Sequence, residues 1–312
     1  MASPTRASAE PRGTAGNADT ANPARATLRW VGNGLALWLP ALPLLLLAIA
    51  LLVAPTIELI LSSVRGEAGG WTIQYWRDTL ASNGGRQAIS TSLRLALICA
   101  TLSLLIGGPL AWLISRMLTL RRSVWLALLN VAANFGGVGL AFGYVAALGT
   151  YGMLTLALRD IGLGFDPPPI GSLTSLVLAY EYTNVPLFVL LTLPAMGILR
   201  TEWMEAAATS SATRAQFWRF VGLPVLAPFL AAGWLLIFTW SIGIYGLAYA
   251  MGAGAATIGR LRLITLQIGL TLNTGVGREE RAAVLAVVLL LFATVSLVAY
   301  RIILHRALRW FG

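Results

Sequence analysis

Residues Thr201 to Pro224 read TEWMEAAATSSATRAQFWRFVGLP. The pattern predicts two short helices separated by a turn. Thr201 can serve as the N-cap of the first helix, which places Glu202 and Glu205 near its positive end. The alanine run 206–208 favours a helix, and its small side chains let another backbone approach closely.

The second helix of this segment has its own start signal. Thr209–Ser211 interrupts the first helix, and Thr213 with Gln216 then matches a T-x-x-Q capping box. Three apolar side chains are expected on one side of the second helix: Phe217, Phe220 and Val221. Leu223-Pro224 is expected to end it, because proline disfavours helical geometry in the preceding residue. Two interpretations follow, a helix–turn–helix that docks on a partner and a solvated loop on a membrane surface.

The chain on both sides of this segment is strongly apolar. It has 312 residues, of which 57% are hydrophobic and 11% are charged, and its mean hydropathy is +0.77. An average soluble domain is about 25% charged. This composition argues against a soluble enzyme, a disordered regulator and a disulfide scaffold.

Long apolar runs predict an all-α polytopic membrane protein with six transmembrane helices. We place these spans at about 35–63, 90–115, 123–149, 170–197, 227–250 and 282–304. Together they form a predicted transmembrane domain over 30–305. Residues 1–29 are rich in Ala, Thr, Pro and Arg and predict a disordered cytoplasmic tail. Residues 306–312 form a short cytoplasmic C-terminal tail in this scheme.

The basic residues predict the orientation of the spans. All 22 are arginines, and they are scattered between apolar runs rather than gathered into a stripe for nucleic acid. Thirteen fall on the side that holds both termini and the 201–224 segment, and eight fall in the opposite loops. The positive-inside rule therefore predicts that both termini are cytoplasmic.

Cys99 and His305 are the single cysteine and the single histidine. One cysteine excludes an internal disulfide and a CxxC site, and one histidine argues against a histidine-based metal cluster or a Ser-His-Asp triad. We therefore expect no metal site and no catalytic residues.

Ionisable and amide side chains within spans are candidates for a solute pathway. Glu181 is the strongest candidate, and its carboxylate suits a cationic or polar solute. Tyr182, Asn184 and Asn134 are further candidates. The alternative for Glu181 is a structural pair with a neighbouring helix, and for Asn130 and Asn134 it is hydrogen bonding between helices.

The 201–224 segment resembles the EAA motif of ABC importer permeases. That motif has Glu-Ala-Ala, three further residues, Gly, and later a hydrophobic residue followed by Leu-Pro. Glu205-Ala206-Ala207, Val221 and Leu223-Pro224 match it, whereas Ser211 stands at the glycine position. The resemblance extends over about 30–305 in the order of spans. It includes the runs 105–111 and 185–188, and the layout resembles the spermidine/putrescine, iron(III) and thiamine type.

The resemblance implies the fold of a type I (MetI-like) ABC importer permease with cytoplasmic N- and C-termini. It also implies that the loop 200–224 couples the chain to an ATPase. The coupling residues carried over from the motif are Glu205, Ala206, Ala207, Ser211, Phe217, Val221, Leu223 and Pro224. For residues 258–273 the resemblance implies short helical or re-entrant structure close to the gate of the pathway. We follow the resemblance here, although the alternation over 265–272 is typical of a strand.

The implied partners are ABC ATPase subunits, a second permease subunit in a homo- or heterodimer, an extracytoplasmic substrate-binding protein and the lipid bilayer of a bacterial inner membrane. The chain has no G-x-x-x-x-G-K-[ST] phosphate loop, so ATP and Mg²⁺ are expected on the partner ATPase and no cofactor on this non-enzymatic subunit. A polyamine-like solute is the first expectation for the substrate. Iron(III), thiamine, phosphonate and sulfate are alternatives. A self-sufficient secondary transporter or channel is the alternative function, although we find no convincing inverted repeat.

Overall fold

The computed structural model describes residues 39–66, 70–253, 261–273 and 279–308. Within these ranges the chain is helical, with an isolated β-bridge between Arg65 and Trp71 and no sheet. The predicted tail 1–29 and the last four residues of the predicted C-terminal tail lie outside the described residues. We number the helices α1 (Leu42–Ser62), α2 (Gln74–Ala81), α3 (Asn83–Ser115), α4 (Thr119–Asn134), α5 (Gly137–Leu148), α6 (Met153–Asp160), α7 (Leu173–Met196), α8 (Thr201–Thr209), α9 (Arg214–Phe217), α10 (Leu223–Gly243), α11 (Gly246–Ala253), α12 (Ile264–Asn273) and α13 (Glu279–Leu308).

Six helical stretches in the described residues are long and apolar enough to cross a membrane. They are Leu42–Ser62, Asn83–Ser115, Gly137–Asp160, Leu173–Met196, Arg214–Gly243 and Glu279–Arg306. The prediction of an all-α, multi-pass membrane protein with six spans is therefore confirmed.

The chain divides into two units, Met1–Ile57 and Glu58–Gly312. The described part of the first unit contains most of α1, including a π-helical stretch at Ile49–Val53. The second unit contains the packed helices, and the following paragraphs concern this unit.

Helices α3, α7 and α10 meet around Phe188, which is fully buried. A Cβ on Gly107 of α3 would lie 2.8 Å from Cδ1 of Phe188. A Cβ on Gly233 of α10 would lie 3.1 Å from Cε2 of Phe188 and 2.9 Å from Cγ2 of Thr192. The phenyl ring thus occupies space that two glycines leave free on the neighbouring helices, and this allows the three helices to pack closely.

The predicted third span, 123–149, contains two helices rather than one. α4 ends at Asn134 and α5 begins at Gly137, whose φ angle is +68°. Glycine adopts this left-handed conformation without a steric penalty, so the glycine-rich sequence permits the break. The helix of the fifth span begins earlier than its predicted bounds of 227–250, and it is interrupted between Gly243 and Gly246.

The segment with strand-like alternation forms helix α12. Its first residue, Ile264, is fully buried, and the Ile264 amide donates to Oγ of Ser92 on α3 at 2.9 Å. The Thr265 hydroxyl donates to the carbonyl of Ile244 at 3.2 Å. These tertiary contacts override the weak period-2 signal of a short apolar run.

Helix α8 ends in a Schellman motif. The Ala212 amide donates to the Ala207 carbonyl and the Ser211 amide donates to the Ala208 carbonyl, both at 3.0 Å. Ser211 has a φ angle of +58°, the left-handed conformation that this position requires and that glycine adopts most readily. The motif's glycine position is therefore a helix-ending position, and Ser211 occupies it in the same backbone conformation.

The predicted capping box is present. The Thr213 amide donates to Oε1 of Gln216 at 2.8 Å, and the Gln216 amide donates to Oγ1 of Thr213 at 3.3 Å. The predicted N-cap role of Thr201 is wrong, because Arg200 is the N-cap residue and Thr201 is the first helical residue.

The expectation that Leu223-Pro224 ends the second helix is also wrong. Helix α9 continues through a π-helical turn, Trp218–Gly222, directly into α10. The Leu223 amide donates to the carbonyl of Trp218, five residues earlier. This wider turn shifts the hydrogen-bond register just before Pro224, so the continuous helix accommodates the proline without ending there.

Replacing Gly107 with alanine should destabilise the helix packing by about 1–3 kcal/mol, because the new methyl group overlaps the ring of Phe188. Gly108→Ala is the matched control, since its Cβ would lie 3.9 Å from the nearest side-chain atom, on Leu230. The midpoints of thermal unfolding are measured for the two purified variants in the same detergent. Both variants gain the same helix propensity, so the difference between their midpoints reports the steric clash with Phe188. Equal stability of the two variants would contradict the close packing around Phe188.

Ser211→Gly should stabilise the end of α8, because glycine removes a left-handed strain of about 1 kcal/mol. Ser210→Gly is the control, since Ser210 has an ordinary φ angle of −83° and should gain nothing. Amide hydrogen exchange at Ala212 measures the effect. Faster exchange in Ser211→Gly than in the wild type would show that the motif does not limit opening of this turn.

Candidate functional site

The first helix of the segment 200–224 exposes the acidic side chain of Glu205. Glu205 is exposed on α8 and makes no hydrogen bond or ion pair within the described part of the chain. Ala206 beside it is also exposed, whereas Ala207 is half-buried. α8 therefore presents the Glu205 carboxylate and small side chains on its outer surface. Glu202 in its first turn is likewise exposed and has no hydrogen bond or ion pair among the described residues.

Arg116 at the end of α3 holds the start of α8 in place. Its Nη1 donates to Oγ1 of Thr201 at 3.0 Å, and its Nη2 donates to the carbonyl of Leu199 at 3.2 Å. Leu199 itself is buried. From the sequence, Arg116 was only one of the arginines that predict the orientation of the spans. Its contact with Thr201 joins residues 85 positions apart, so no local pattern indicates it.

Aromatic contacts hold the second helix of the segment. The Trp218 ring meets the edge of Trp112 on α3 with ring centroids 5.4 Å apart, and Phe217 is buried beside it. A Cβ on Gly222 would lie 2.6 Å from Cε3 of Trp218, so this glycine makes room for the indole. Sequence reasoning did not identify Trp218 as a residue that positions the loop.

Phe217, Phe220 and Val221 do not share one side, contrary to the prediction. Phe217 is buried, Val221 is half-buried and Phe220 is 68% exposed. The guanidinium of Arg219 lies 5.5 Å from the centroid of the Phe220 ring. The π-helical turn has more residues per turn than an α-helix, which rotates Phe220 away from the Phe217 side. Leu223 and Pro224 are also exposed.

Glu181 on α7 faces α3. The Ser103 hydroxyl donates to its Oε2 at 2.8 Å, and the Cys99 thiol, one helical turn before Ser103, lies beside the same carboxylate. Its Oε1 is buried and has no hydrogen-bond partner among the described residues. Oε2 of Glu181 therefore has the structural partner on a neighbouring helix that the alternative hypothesis predicts, whereas Oε1 has none.

Asn184 lies at the contact between α7 and α10. It is fully buried, and its Nδ2 donates to Oγ of Ser241 at 2.9 Å. This bond joins two spans within the core, so the structure gives Asn184 a contact between helices.

Tyr182 and Asn134 lie towards the break between α4 and α5. Tyr182 is half-exposed, and its ring meets Phe135 edge-on with centroids 6.2 Å apart. The side-chain amide of Asn134 donates to the carbonyl of Asn130, and that of Asn130 donates to the carbonyl of Leu126, both at 2.8 Å. The expected bonds between helices are thus wrong for both, because each amide reaches an unoccupied lone pair one turn back on its own helix.

Several transport system permease proteins are similar to this chain in sequence. No family model matches the chain. It is 31% identical over 176 residues to the sulfate transport system permease protein CysT of Salmonella typhimurium, covering 55% of this chain and 61% of the relative. It is 27% identical to the spermidine/putrescine transport system permease protein PotB of Haemophilus influenzae, covering 53% and 58%. It is also 27% identical to the molybdenum transport system permease protein ModB of Mycobacterium bovis, covering 55% and 64%. The chain thus spans about three fifths of the length of these curated relatives.

Solved structures extend the likeness across the chain. A bacterial ABC transporter involved in the import of the acidic polysaccharide alginate matches with a TM-score of 0.62 at 19% identity, covering 91% of this chain and 99% of the other. The alginate transporter in complex with its alginate pentasaccharide-bound periplasmic protein matches with a TM-score of 0.65 at 16% identity, covering 90% and 96%. The chain is thus a homologue of ABC importer permeases, and it has the fold of such a permease.

Proposed function

We propose that this chain is the permease subunit of an ABC importer, in which it forms the translocation pathway for a small polar solute. A substrate-binding protein delivers the solute, and a separate ATPase subunit hydrolyses ATP with Mg²⁺. The permease lies in a bacterial inner membrane with both termini cytoplasmic, beside a second permease subunit of the same or a different sequence. The names of its relatives support the subunit type, and the periplasmic protein bound to the alginate transporter supports the delivery step.

The geometry of α8 carries the coupling role. Arg116 holds the start of this helix, a Schellman motif closes its end, and the Glu205 carboxylate between them has no partner in the described chain. The segment then runs without interruption from Arg214 to Gly243. A force applied to α8 by a docked ATPase would therefore reach the membrane-spanning part through a continuous helix.

A self-sufficient secondary transporter or channel is the alternative function. Such a protein needs no ordered docking helix outside the membrane, and it would transport solute without an ATPase. The Glu205 carboxylate, which has no partner among the described residues, and the small side chains beside it favour a subunit of a larger assembly over a self-sufficient transporter.

Glu205→Gln should weaken co-purification with the cognate ATPase roughly tenfold, because a charged contact across an interface is lost. Insertion into the membrane should be unchanged, since Glu205 is exposed and makes no hydrogen bond or ion pair among the described residues. Glu279→Gln, an exposed carboxylate at the start of α13, is the control. Unchanged assembly and ATP-dependent uptake in Glu205→Gln would contradict the coupling role, and uptake without any ATPase would favour the alternative.

The unpaired oxygen of Glu181 supports a cationic solute. Relatives of this chain are named for sulfate, spermidine/putrescine and molybdenum, so the sequences include permeases for ions of both signs. A carboxylate inside a span repels an anion and attracts a cation, and low polarity strengthens both effects. Among the solutes considered, a polyamine-like cation fits best, ahead of iron(III) and thiamine, and well ahead of phosphonate and sulfate.

Glu181→Gln should lower uptake of radiolabelled putrescine roughly tenfold and leave association with the ATPase unchanged, because one charged contact to the solute is lost. Glu58→Gln is the control, since Glu58 is 63% exposed and pairs with Arg65 at 3.5 Å. Uptake of radiolabelled sulfate by the same cells tests whether the transported solute is an anion instead. Unchanged putrescine uptake would leave Glu181 with only its structural contacts to Ser103 and Cys99. Saturable sulfate uptake by the wild type would overturn the cationic assignment.

A further inference from the structure

A polar cavity of about 470 Å³ opens where α3, α4 and α7 approach the first turn of α8. Its volume lies within the range of roughly 300–1,000 Å³ that is usual for small-molecule sites. Arg116 from the end of α3, Arg122 from the first turn of α4 and Arg200 from the N-cap of α8 line it. Three separate segments thus bring guanidinium groups to one cavity.

The positive charge of this cavity is not balanced within the described chain. Glu202 supplies a single carboxylate among the described lining residues, and no ion pair involves any of the three arginines. Arg116 donates only to neutral oxygens, those of Thr201 and Leu199. The guanidinium groups of Arg122 and Arg200 have no hydrogen-bond partner in the part of the chain that the structure describes, so they are available to a ligand.

The surroundings of the cavity indicate which kind of anion fits it. The N-terminus of α8, a helix of nine residues, lies at the lining and adds the positive end of its dipole. The cavity also lies at the ends of membrane-length helices, where lipid headgroups are found, and basic pockets in this position bind phosphate-bearing headgroups. Guanidinium groups match the geometry of phosphate oxygens in particular.

We propose that this cavity is a binding site for a phosphate oxyanion, held by Arg122 and Arg200 with Arg116 behind them. The phosphate comes from the headgroup of an anionic phospholipid or from free phosphate in solution. The bound anion would join the ends of α3, α4 and α7 to the first turn of α8. This site lies outside the proposed solute pathway around Glu181, and it does not depend on the identity of the transported solute.

Thermal unfolding of the full-length chain in detergent tests the proposal. The chain is titrated separately with phosphatidylglycerol, with zwitterionic phosphatidylethanolamine and with inorganic phosphate. We expect phosphatidylglycerol or inorganic phosphate to raise the unfolding midpoint more than phosphatidylethanolamine does. A response to phosphatidylglycerol alone assigns the site to a lipid headgroup, and a response to inorganic phosphate alone assigns it to a soluble anion.

Arg122→Gln and Arg200→Gln should each weaken the apparent affinity for the responding anion at least about tenfold, because each removes a charge-assisted contact. Arg121→Gln is the matched control, since Arg121 is adjacent on α4 but does not line the cavity. Arg116 is left intact because it holds the loop. The proposal is overturned if the wild type responds equally to all three additions, or if Arg121→Gln and Arg122→Gln lose the same affinity. It is also overturned if only an added ATPase subunit raises the midpoint, because protein would then fill the cavity.

Discussion

The ring of Phe188 lies between Gly107 on α3 and Gly233 on α10, and the arrangement of the membrane core depends on this contact. Helices in a bilayer gain little hydrophobic energy from meeting each other, so close van der Waals packing and a few polar bonds hold them together. Phe188 sets the distance at which the three helices approach. Asn184 lies one turn earlier on α7, and at that distance it reaches Ser241 on α10.

The same three helices position the segment 200–224. α7 leads into α8, and α9 continues into α10, so the segment connects the helix that carries Phe188 to a helix that packs against it. Trp112 on α3 and Arg116 directly after that helix hold the two halves of the segment. A displacement of α8 would therefore be transmitted to the packing around Phe188 and, through α7, to Glu181. The proposed coupling surface and the candidate pathway are parts of one packed unit.

Local patterns predicted the local structure of this segment well. The Thr213 capping box formed as its spacing indicated, and the helix over the alanine run ended close to its predicted turn. Predictions that depended on the next level of structure were less accurate. Pro224 did not end a helix because a π-helical turn precedes it, and the same turn moved Phe220 away from Phe217. Asn130 and Asn134 bonded to their own helix, since the nearest free acceptor is one turn away.

Hydropathy by itself determined that the chain is an all-α membrane protein with six spans, because the hydropathy of a span is an average over neighbouring residues. The motif from Glu205 to Pro224 likewise pointed to the permease fold without any knowledge of contacts. Only the tertiary structure decided that Gly107 accommodates Phe188, that one oxygen of Glu181 is bonded and the other is not, and that three arginines share a cavity. These features join residues tens of positions apart in the chain. Their distances follow from how whole helices pack, which no local pattern records.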